Sequence, residues 1–411
     1  MSKERFDCCG QSSSLMRVDE AVALLRARIT PVTPVESVAL DHAQGRILAE
    51  DLTSGLFLPP FDNSAVDGWA VRCADLDGKS SLPIGGRIAA GHPLAEPVRP
   101  GYAYRIFTGA PVPEGLDAVL MQEDCRAEGK TVQLPAAKPG QNIRSKGEGL
   151  SPGQIALKAG TVLGPQHLGV AAMLGQAVLP LRRRLRVALF STGDELREPG
   201  SHLEPGCQYD ANRFTLKGML QGLGCAVSDL GILPDRLEPL TQALRQAATG
   251  HDLIVTSGGV SVGDEDHVKT AVQAAGALHF WRLALKPGKP LALGEVDGTA
   301  FLGLPGNPVS VMVTFLLIGR PLVAALSGGA LGEPRRWPVQ AAFAMKKKPG
   351  RREFPRARLL DGPVAELFRS DSSGMLVSMT EADGLLDLPE NSGDIAPGDT
   401  VSFLPFRELL S

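Results

Sequence analysis

The stretch His251-Asp-Leu-Ile-Val-Thr-Ser-Gly-Gly-Val-Ser-Val-Gly-Asp-Glu-Asp266 decides the fold. Leu253 to Thr256 is an apolar, β-branched run that reads as a buried strand. It breaks into a loop carrying Gly258, Gly259 and Gly263, the serines Ser257 and Ser261, and three acids. A helical pattern starts near Asp264. Strand, glycine-rich turn and helix N-terminus together make an anion site, because glycine lets a ligand approach the backbone and free N–H groups point at it. A loop that only cradled phosphate would not set Asp264, Glu265 and Asp266 beside a dianion unless a cation bridged them. The segment is therefore expected to hold a phosphorylated ligand with a divalent metal. The bland alternative is a Ser-Gly-Gly turn that merely reverses the chain, and the neighbouring loops must decide between the two.

Working outward, residues 180–328 alternate strands and helices. Arg186-Val-Ala-Leu-Phe-Ser-Thr192 reads as a strand, Asn212 to Leu223 as a helix closed by Gly224, and Cys225 to Leu233 as a strand. A helix follows through Ala248, then the strand quoted above, then Leu278 to Leu285 as another strand. This alternation predicts a doubly wound, mainly parallel sheet. Upstream, Val18, Val22, Leu25 and Ile29 share one helical stripe ended by Thr30-Pro31. Short alternating runs at Pro83–Ile88, Tyr102–Phe107 and Ala118–Met121 read as a small β-domain, and helix returns at Pro165 to Leu174 before Gly175. The expected α/β multi-domain organisation is thus a disordered 1–14 and a discontinuous helical domain (15–50 and 141–179). A β-rich domain (51–140) is inserted in the latter. An α/β domain (180–328) and a proline-punctuated C-terminal β-domain (329–411) follow.

Composition narrows the function. The chain has 411 residues, enough for about two to four domains. A net charge of −3 without a long basic block argues against nucleic-acid binding. Arg182-Arg183-Arg184 and Lys346-Lys347-Lys348 read as solvated loop charges. The six cysteines show no CxxC spacing, which points away from a disulfide scaffold or zinc site and toward a reducing cytoplasm. The apolar run Pro308 to Ile318 is short for a membrane span, and Gly319-Arg320-Pro321 is expected to interrupt it, so a buried core helix in a soluble protein is expected.

The chemistry gathers on one sheet edge. In an open parallel sheet, ligands bind beyond the carboxyl ends of the strands. Thr192-Gly-Asp-Glu195, Pro234-Asp235, Ser257 to Asp266, Lys286-Pro-Gly-Lys289 and Leu304-Pro-Gly-Asn-Pro308 all follow strands. Topology therefore brings Asp194, Glu195, Asp235, Asp264 and Asp266 to one rim with Lys286 and Lys289. Any one loop has an ordinary structural explanation, and Asp235 alone would pass for a helix cap. Their convergence does not. Oxygen ligands suit a hard cation such as magnesium shared with substrate phosphates. The seven histidines do not cluster, and neither GxGxxG nor GxxxxGK[ST] occurs, which excludes a Rossmann dehydrogenase and a P-loop nucleotidase.

Thr256-Ser-Gly-Gly-Val-Ser-Val-Gly-Asp-Glu-Asp266 and Leu304-Pro-Gly-Asn-Pro308 resemble the molybdopterin-binding domain of molybdenum-cofactor biosynthesis proteins. Phe61-Asp-Asn-Ser-Ala-Val-Asp-Gly-Trp-Ala-Val71, Thr108-Gly-Ala-Pro-Val-Pro-Glu-Gly115, Phe190-Ser-Thr-Gly-Asp-Glu-Leu196 and Leu285-Lys-Pro-Gly-Lys-Pro290 narrow the resemblance to the molybdopterin molybdenumtransferases, with which the gephyrin C-terminal region groups. The resemblance spans about residues 15–410. It implies four domains, a homodimer with the site between subunits, and insertion of molybdate into adenylylated molybdopterin with release of AMP. It also implies possible contacts with cofactor-pathway proteins and apo-molybdoenzymes.

Within that resemblance, Glu195, Asp235 and Asp266 are expected to hold magnesium or orient the nucleophile, with Asp62 as a further catalytic acid. Thr108, Ser257, Gly258, Gly259, Ser261, Gly263, Asp264 and Pro305-Gly306-Asn307-Pro308 are expected to line the ligand site. Micromolar binding of an anion such as molybdate needs roughly 8 kcal/mol. A helix N-terminus supplies only about 0.3–1 kcal/mol. Arg282, Lys286 and Lys289 are the cationic candidates, and Arg351 and Ser373 match family positions in the last domain. One position departs from the pattern. The family commonly carries Arg-Gly-Glu-Asp where this chain has Lys146-Gly-Glu-Gly149, so either Glu148 substitutes for the missing acid or activity changes. A non-catalytic pterin-binding scaffold and a molybdopterin adenylyltransferase are the alternative functions.

Overall fold

Leu253 and Val255 pack on one side of a central sheet and Ile254 on the other, and helices cover both sides. That double cover is why the strand is apolar without interruption. A computed structural model of the chain describes residues 15–259, 267–330 and 332–410. The expectations for residues 1–14 and for the acidic loop 260–266 lie outside them. The chain forms two compact units. The first contains the described residues through Glu50, Ala159–Gly164 and those from Val178 onward; the second contains Asp51–Lys158 and Pro165–Ala177.

In the first unit, helix α1 (Val18–Arg28) precedes β1 (Arg186–Thr192), α2 (Asn212–Gly222), β2 (Ala226–Leu233), α3 (Leu237–Gly250) and β3 (Leu253–Ser257). Then come α4 (His267–Ala275), β4 (Gly276–Arg282), β5 (Leu285–Lys286), β6 (Pro290–Val296) and β7 (Thr299–Leu304). Six strands stand in the order β2-β1-β3-β7-β6-β4. β1 is parallel to β2 and β3, and β3 to β7, while β6 runs against both β7 and β4. The sheet is therefore mainly parallel, as the alternation predicted. The reversal at β6 comes from the hairpin turn Asp297-Gly298, where both residues take positive φ. Because β4 points the same way as β7, the Lys286–Lys289 loop still emerges at the carboxyl rim.

The layers follow side-chain alternation. Val187, Leu189, Leu302 and Leu304 join Leu253 and Val255 beneath α1, α2 and the last helices of this region. Ala188, Phe190 and Phe301 join Ile254 beneath α3 and α4, which contribute Leu240, Leu244, Val268 and Val272. Each such leucine or valine stabilises the fold by about 1.5–3 kcal/mol when fully buried.

The run after β7 corrects one expectation. Gly319-Arg320-Pro321 does not interrupt it, and a helical rod extends from Pro308 to Ser327. It is long and apolar enough to cross a membrane by length and composition, yet 89% of its apolar window is packed inside the unit. The rod survives Pro321 because Phe315–Gly319 widens into a π-helical turn, which accommodates a position that cannot donate an N–H.

The C-terminal strands β8 (Trp337–Ala341), β9 (Arg352–Glu353), β10 (Arg356–Leu359), β11 (Val364–Leu367), β12 (Gly384–Asp387) and β13 (Thr400–Pro405) form the expected β-domain. All but β9 close a barrel in the order β8-β11-β10-β12-β13. β9 instead pairs in parallel with β5, so the strand bearing Glu353 lies against the strand bearing Lys286. Behind it, the Asp387 carboxylate accepts from Arg352 Nε and Nη2 at 2.6 and 2.8 Å and from Arg336 Nε at 2.7 Å.

The second unit is built on a six-stranded sheet that includes Gly68–Val71, Ser81–Ile88, Ala103–Ile106 and Ala118–Met121. Trp69, Leu82, Leu120 and Val132 pack on one face and Ile88, Tyr104, Ile106 and Val119 on the other. The helix Pro165–Met173 groups with this unit.

Candidate active site

A cleft of about 840 Å³ opens beyond the carboxyl ends of β1, β2, β3 and β7. Its size suits a small organic ligand. The floor is glycine and proline backbone: Gly193, Gly258, Gly259, and Pro305-Gly306-Asn307. Gly258 and Gly259 have φ of +88° and +65°, and a Cβ would lie 2.9 Å from the Thr192 carbonyl at the first and 2.4 Å from Val268 at the second. No larger residue fits there, so the turn facing the cleft stays bare of side chains.

One end of the cleft is acidic. Glu195 and Asp235 line it. Among the described residues, Asp235 Oδ1 and Thr192 Oγ1 are buried without a well-formed hydrogen bond. Burial pushes the Asp235 carboxyl above its ordinary value; His267 works against this, while the charges of Asp194 and Glu195 add to it, and the nearby Thr192 hydroxyl offsets part. A carboxylate in this condition gains from any cation that reaches it. Among the described residues, no group of three or more His, Cys, Asp or Glu side chains is arranged to hold a metal ion.

The other end is cationic. Lys286 ends β5, Lys289 sits in the β5–β6 connection, Lys346 lies between β8 and β9, and Arg356 opens β10 of the barrel. Lys286 Nζ lies 3.1 Å from Glu353 and 4.0 Å from Asp371, so its charge is partly matched. Arg356 is buried. It donates Nε to Ser378 Oγ at 3.0 Å and Nη2 to the Ser370 and Ser372 carbonyls at 2.7 and 3.1 Å. Among the described residues it has no ion-pair partner; burial lowers its pKa and Asp371 opposes this from a distance. A guanidinium stays charged at any physiological pH. Arg356 is thus a fixed positive charge held by neutral groups at the wall of the cleft.

A separate polar patch lies in the second unit. Asp62 Oδ1 accepts the Lys146 N–H at 2.7 Å, which fixes the Lys146–Gly149 loop beside that acid. Thr108 donates its N–H and hydroxyl to Asp67 Oδ1 at 2.8 and 2.7 Å. These two bonds, the backbone one foremost, hold the Asp67 carboxyl below the usual range. Glu148 Oε2 accepts the Ser145 N–H at 3.0 Å, so its carboxylate turns back on its own loop.

Comparison with known proteins places this arrangement. Residues 16–175 match the family model described as MoeA N-terminal region (domain I and II). Residues 188–325 match a probable molybdopterin binding domain, and 338–406 the MoeA C-terminal region (domain IV). A molybdopterin molybdenumtransferase from Haemophilus influenzae is 38% identical over 403 residues, covering 96% of this chain and 100% of the relative. The chain belongs to the molybdopterin molybdenumtransferase family. A gephyrin from Dictyostelium discoideum is 32% identical across 95% of the chain and 62% of its own length. The crystal structure of the molybdopterin biosynthesis moeA protein from Pyrococcus horikoshii superimposes with a TM-score of 0.78 at 28% identity, covering 95% of this chain and 100% of that one.

In this molybdopterin molybdenumtransferase family member, the structure brings together Glu195, Asp235, Gly258, Gly259, Lys286, Lys289, Pro305, Gly306, Asn307 and Ser373 of the residues expected from sequence. Ser257 lies just beneath the cleft, its hydroxyl bonded to Asn212, and Pro308 opens the helical rod. Arg282 and Arg351 are exposed and do not line the cleft: the first ends β4 and the second sits on the turn at Gly350. Asp62 and Thr108 belong to the second unit. Ser261, Gly263, Asp264 and Asp266 lie outside the described residues. Sequence reasoning missed Lys346, Glu353, Arg356, Phe368, Ser370 and Asp371. Lys346, read as a solvated loop charge, faces the cleft, and its neighbour Lys347 is buried with Nζ donating to the Ser392 carbonyl at 3.2 Å.

Proposed function

We propose that this protein inserts molybdate into adenylylated molybdopterin and releases AMP, forming molybdenum cofactor with the help of magnesium. The observation that carries the reading is one cleft with Glu195 and Asp235 at one end and, at the other, Lys286, Lys289, Lys346 and Arg356 outnumbering Glu353 and Asp371. Cleaving a phosphoanhydride requires phosphate charge to be neutralised and a nucleophile to be oriented, and delivering molybdate requires a site for a dianion. The acidic end suits the first task and the cationic end the second. The names of the curated relatives point the same way.

The residues present fit a hard cation, since the buried Asp235 oxygen, without a well-formed hydrogen bond among the described residues, and Glu195 are oxygen donors at the same end of the cleft. Glu195 and Asp235, with Asp266, would hold magnesium. When bound, it would neutralise phosphate charge. Gly258, Gly259 and Gly306 leave room for the pterin phosphate against backbone N–H groups. Lys286, Lys289, Lys346 and Arg356 bind and orient the oxyanions, and Ser373 offers a hydroxyl at the same end. We further infer that the protein works as a homodimer with the site between subunits, the Asp62 and Thr108 loops of one subunit facing the sheet rim of the other. It would act in the cytoplasm and pass its product to apo-molybdoenzymes. The four-domain division, with boundaries near residues 50, 140, 180 and 328, belongs to the same proposal.

One observation favours a second reading. Gly149 offers no carboxylate beside Asp62, and a pterin-binding scaffold would tolerate that loss. The test uses Glu195→Gln and Asp235→Asn. Insertion chemistry predicts that both variants still fold and bind adenylylated molybdopterin while AMP release is abolished. Near-normal AMP release by both would overturn the assignment of the acidic end. Formation of an AMP ester from ATP would instead favour the adenylylating alternative.

A further inference from the structure

The cleft is lined by loops from separate strands, yet one short stretch of helix ties three of them together. Asn212, the first residue of α2, directs its amide Nδ2 at two acceptors: Ser257 Oγ at 2.8 Å and the Gly306 carbonyl at 2.7 Å. A carbonyl can only accept, which settles the orientation of the amide. Ser257 Oγ also donates to the Pro305 carbonyl at 3.3 Å. One side chain therefore fastens the end of β3, where the Gly258-Gly259 turn begins, to the Pro305–Asn307 loop.

The next residue serves the third loop. Arg213 is buried and donates Nε to Asp210 at 2.9 Å, Nη1 to Asp229 on β2, and Nη2 to both oxygens of Glu198. Burial alone would weaken this cation, but the three carboxylates raise its pKa well above the ordinary value. Asp210 N–H in turn donates to the Arg197 carbonyl at 3.0 Å, and Gln208 N–H to the Glu195 carbonyl at 2.9 Å. Glu195 thus takes its backbone position from a segment that Arg213 anchors. Neither Asn212 nor Arg213 lines the cleft.

We propose that the Asn212-Arg213 pair is the positioning device of the site, Asn212 setting the phosphate-facing turns and Arg213 setting the acidic loop. The division is physical. Asn212 is a neutral two-way donor whose loss frees the two turns but leaves every cationic contact in place. Arg213 is a charged hub whose loss frees the loop of Glu195. Both act through other residues and neither touches the reacting atoms.

The test compares Asn212→Asp, Asn212→Ser and Glu198→Gln in the full-length protein by amide hydrogen exchange, melting temperature and steady-state kinetics. Asparagine to aspartate keeps the shape but removes both donors and sets a carboxylate against the Gly306 carbonyl. Exchange in peptides covering 253–259 and 304–307 should accelerate by roughly tenfold or more in Asn212→Asp, while 186–210 stays unchanged. Asn212→Ser, with one donor, should fall between, and serves if the aspartate variant does not fold. Glu198→Gln should reverse the pattern, loosening 193–210 alone. The activity arm rests on the proposed AMP-releasing reaction. There kcat should fall by roughly 100-fold in Asn212→Asp with little change in the KM for molybdate, because misplacement rather than lost binding is the defect. Unchanged exchange at both turns, or a uniform rise across the sheet, would overturn the proposal. Should the wild type release no AMP, the functional reading falls, while the exchange pattern still decides the positioning role.

Discussion

Replacing Arg356 tests the cationic end of the cleft. Its guanidinium is held by one hydroxyl and two carbonyls, with no ion-pair partner among the described residues, so its charge is available to a ligand. One charge-assisted bond to an oxyanion contributes about 1.5–3 kcal/mol. At about 1.4 kcal/mol per factor of ten, Arg356→Ala should raise the Kd for molybdate by roughly 10- to 150-fold. The same change strands Ser378, Ser370 and Ser372, at about 1 kcal/mol net for each bond lost, so about 3 kcal/mol of stability should go as well. Arg356→Lys separates the two effects. It keeps the charge but not the planar fork, and should bind molybdate with intermediate affinity. Equilibrium binding of molybdate, paired with denaturant unfolding of each variant, reads both quantities. A folded Arg356→Ala protein that binds molybdate within about threefold of wild type would refute the reasoning.

Other consequences stem from single contacts. Asp387→Asn leaves the buried Arg352 without its bidentate partner and should cost about 3 kcal/mol at neutral pH, measured by urea unfolding. Burial pushes the Asp387 carboxyl up, but the guanidiniums of Arg352 and Arg336 more than offset this and hold it below the usual range. Its stabilisation is then complete above the ordinary carboxylate pKa of about 4 and fades as pH falls through the lower folded value, so the gap between wild type and variant should narrow below about pH 4. A constant gap down to acid unfolding would contradict the pairing. Gly149→Asp restores a carboxylate where only the Leu58 carbonyl, at 3.2 Å from an added Cβ, is tight. AMP release should rise by roughly tenfold or more; an unchanged rate would mean that Glu148 already serves. Gly288→Ala meets both a φ of +101° and a Thr314 hydroxyl 2.4 Å from the new Cβ. It should destabilise the protein by about 1–3 kcal/mol and weaken anion binding by displacing Lys286 and Lys289, which thermal melts and molybdate titration would reveal.

The sheet was legible because its central strands are buried on both faces: Leu253-Ile-Val255 and Val187-Ala-Leu-Phe190 carry an unbroken apolar signal. The rim loops were legible for a related reason, since strand direction alone places the loop at each strand's carboxyl end. The helical rod was misread at Pro321 because a π-helical turn is a backbone adjustment that leaves no composition signal. The barrel's share of the site was the least legible. Arg351, Arg352 and Arg356 look alike in sequence, and only the break between β9 and β10 at Phe354-Pro355 turns the third toward the cleft. Lys346 sits in a lysine triplet whose members face solvent, cleft and core differently, a distinction set by contacts far away in sequence. Asn212 carried a signal that went unused: an amide at the first turn of a helix beside a sheet rim is well placed to fasten neighbouring loops.

Molybdate-dependent AMP release is the most direct measurement of all. Purified protein supplied with adenylylated molybdopterin and magnesium should release AMP when molybdate is added, with the product activating an apo-molybdoenzyme. Tight pterin binding with no AMP released at any molybdate concentration would contradict insertion and leave a scaffold in its place.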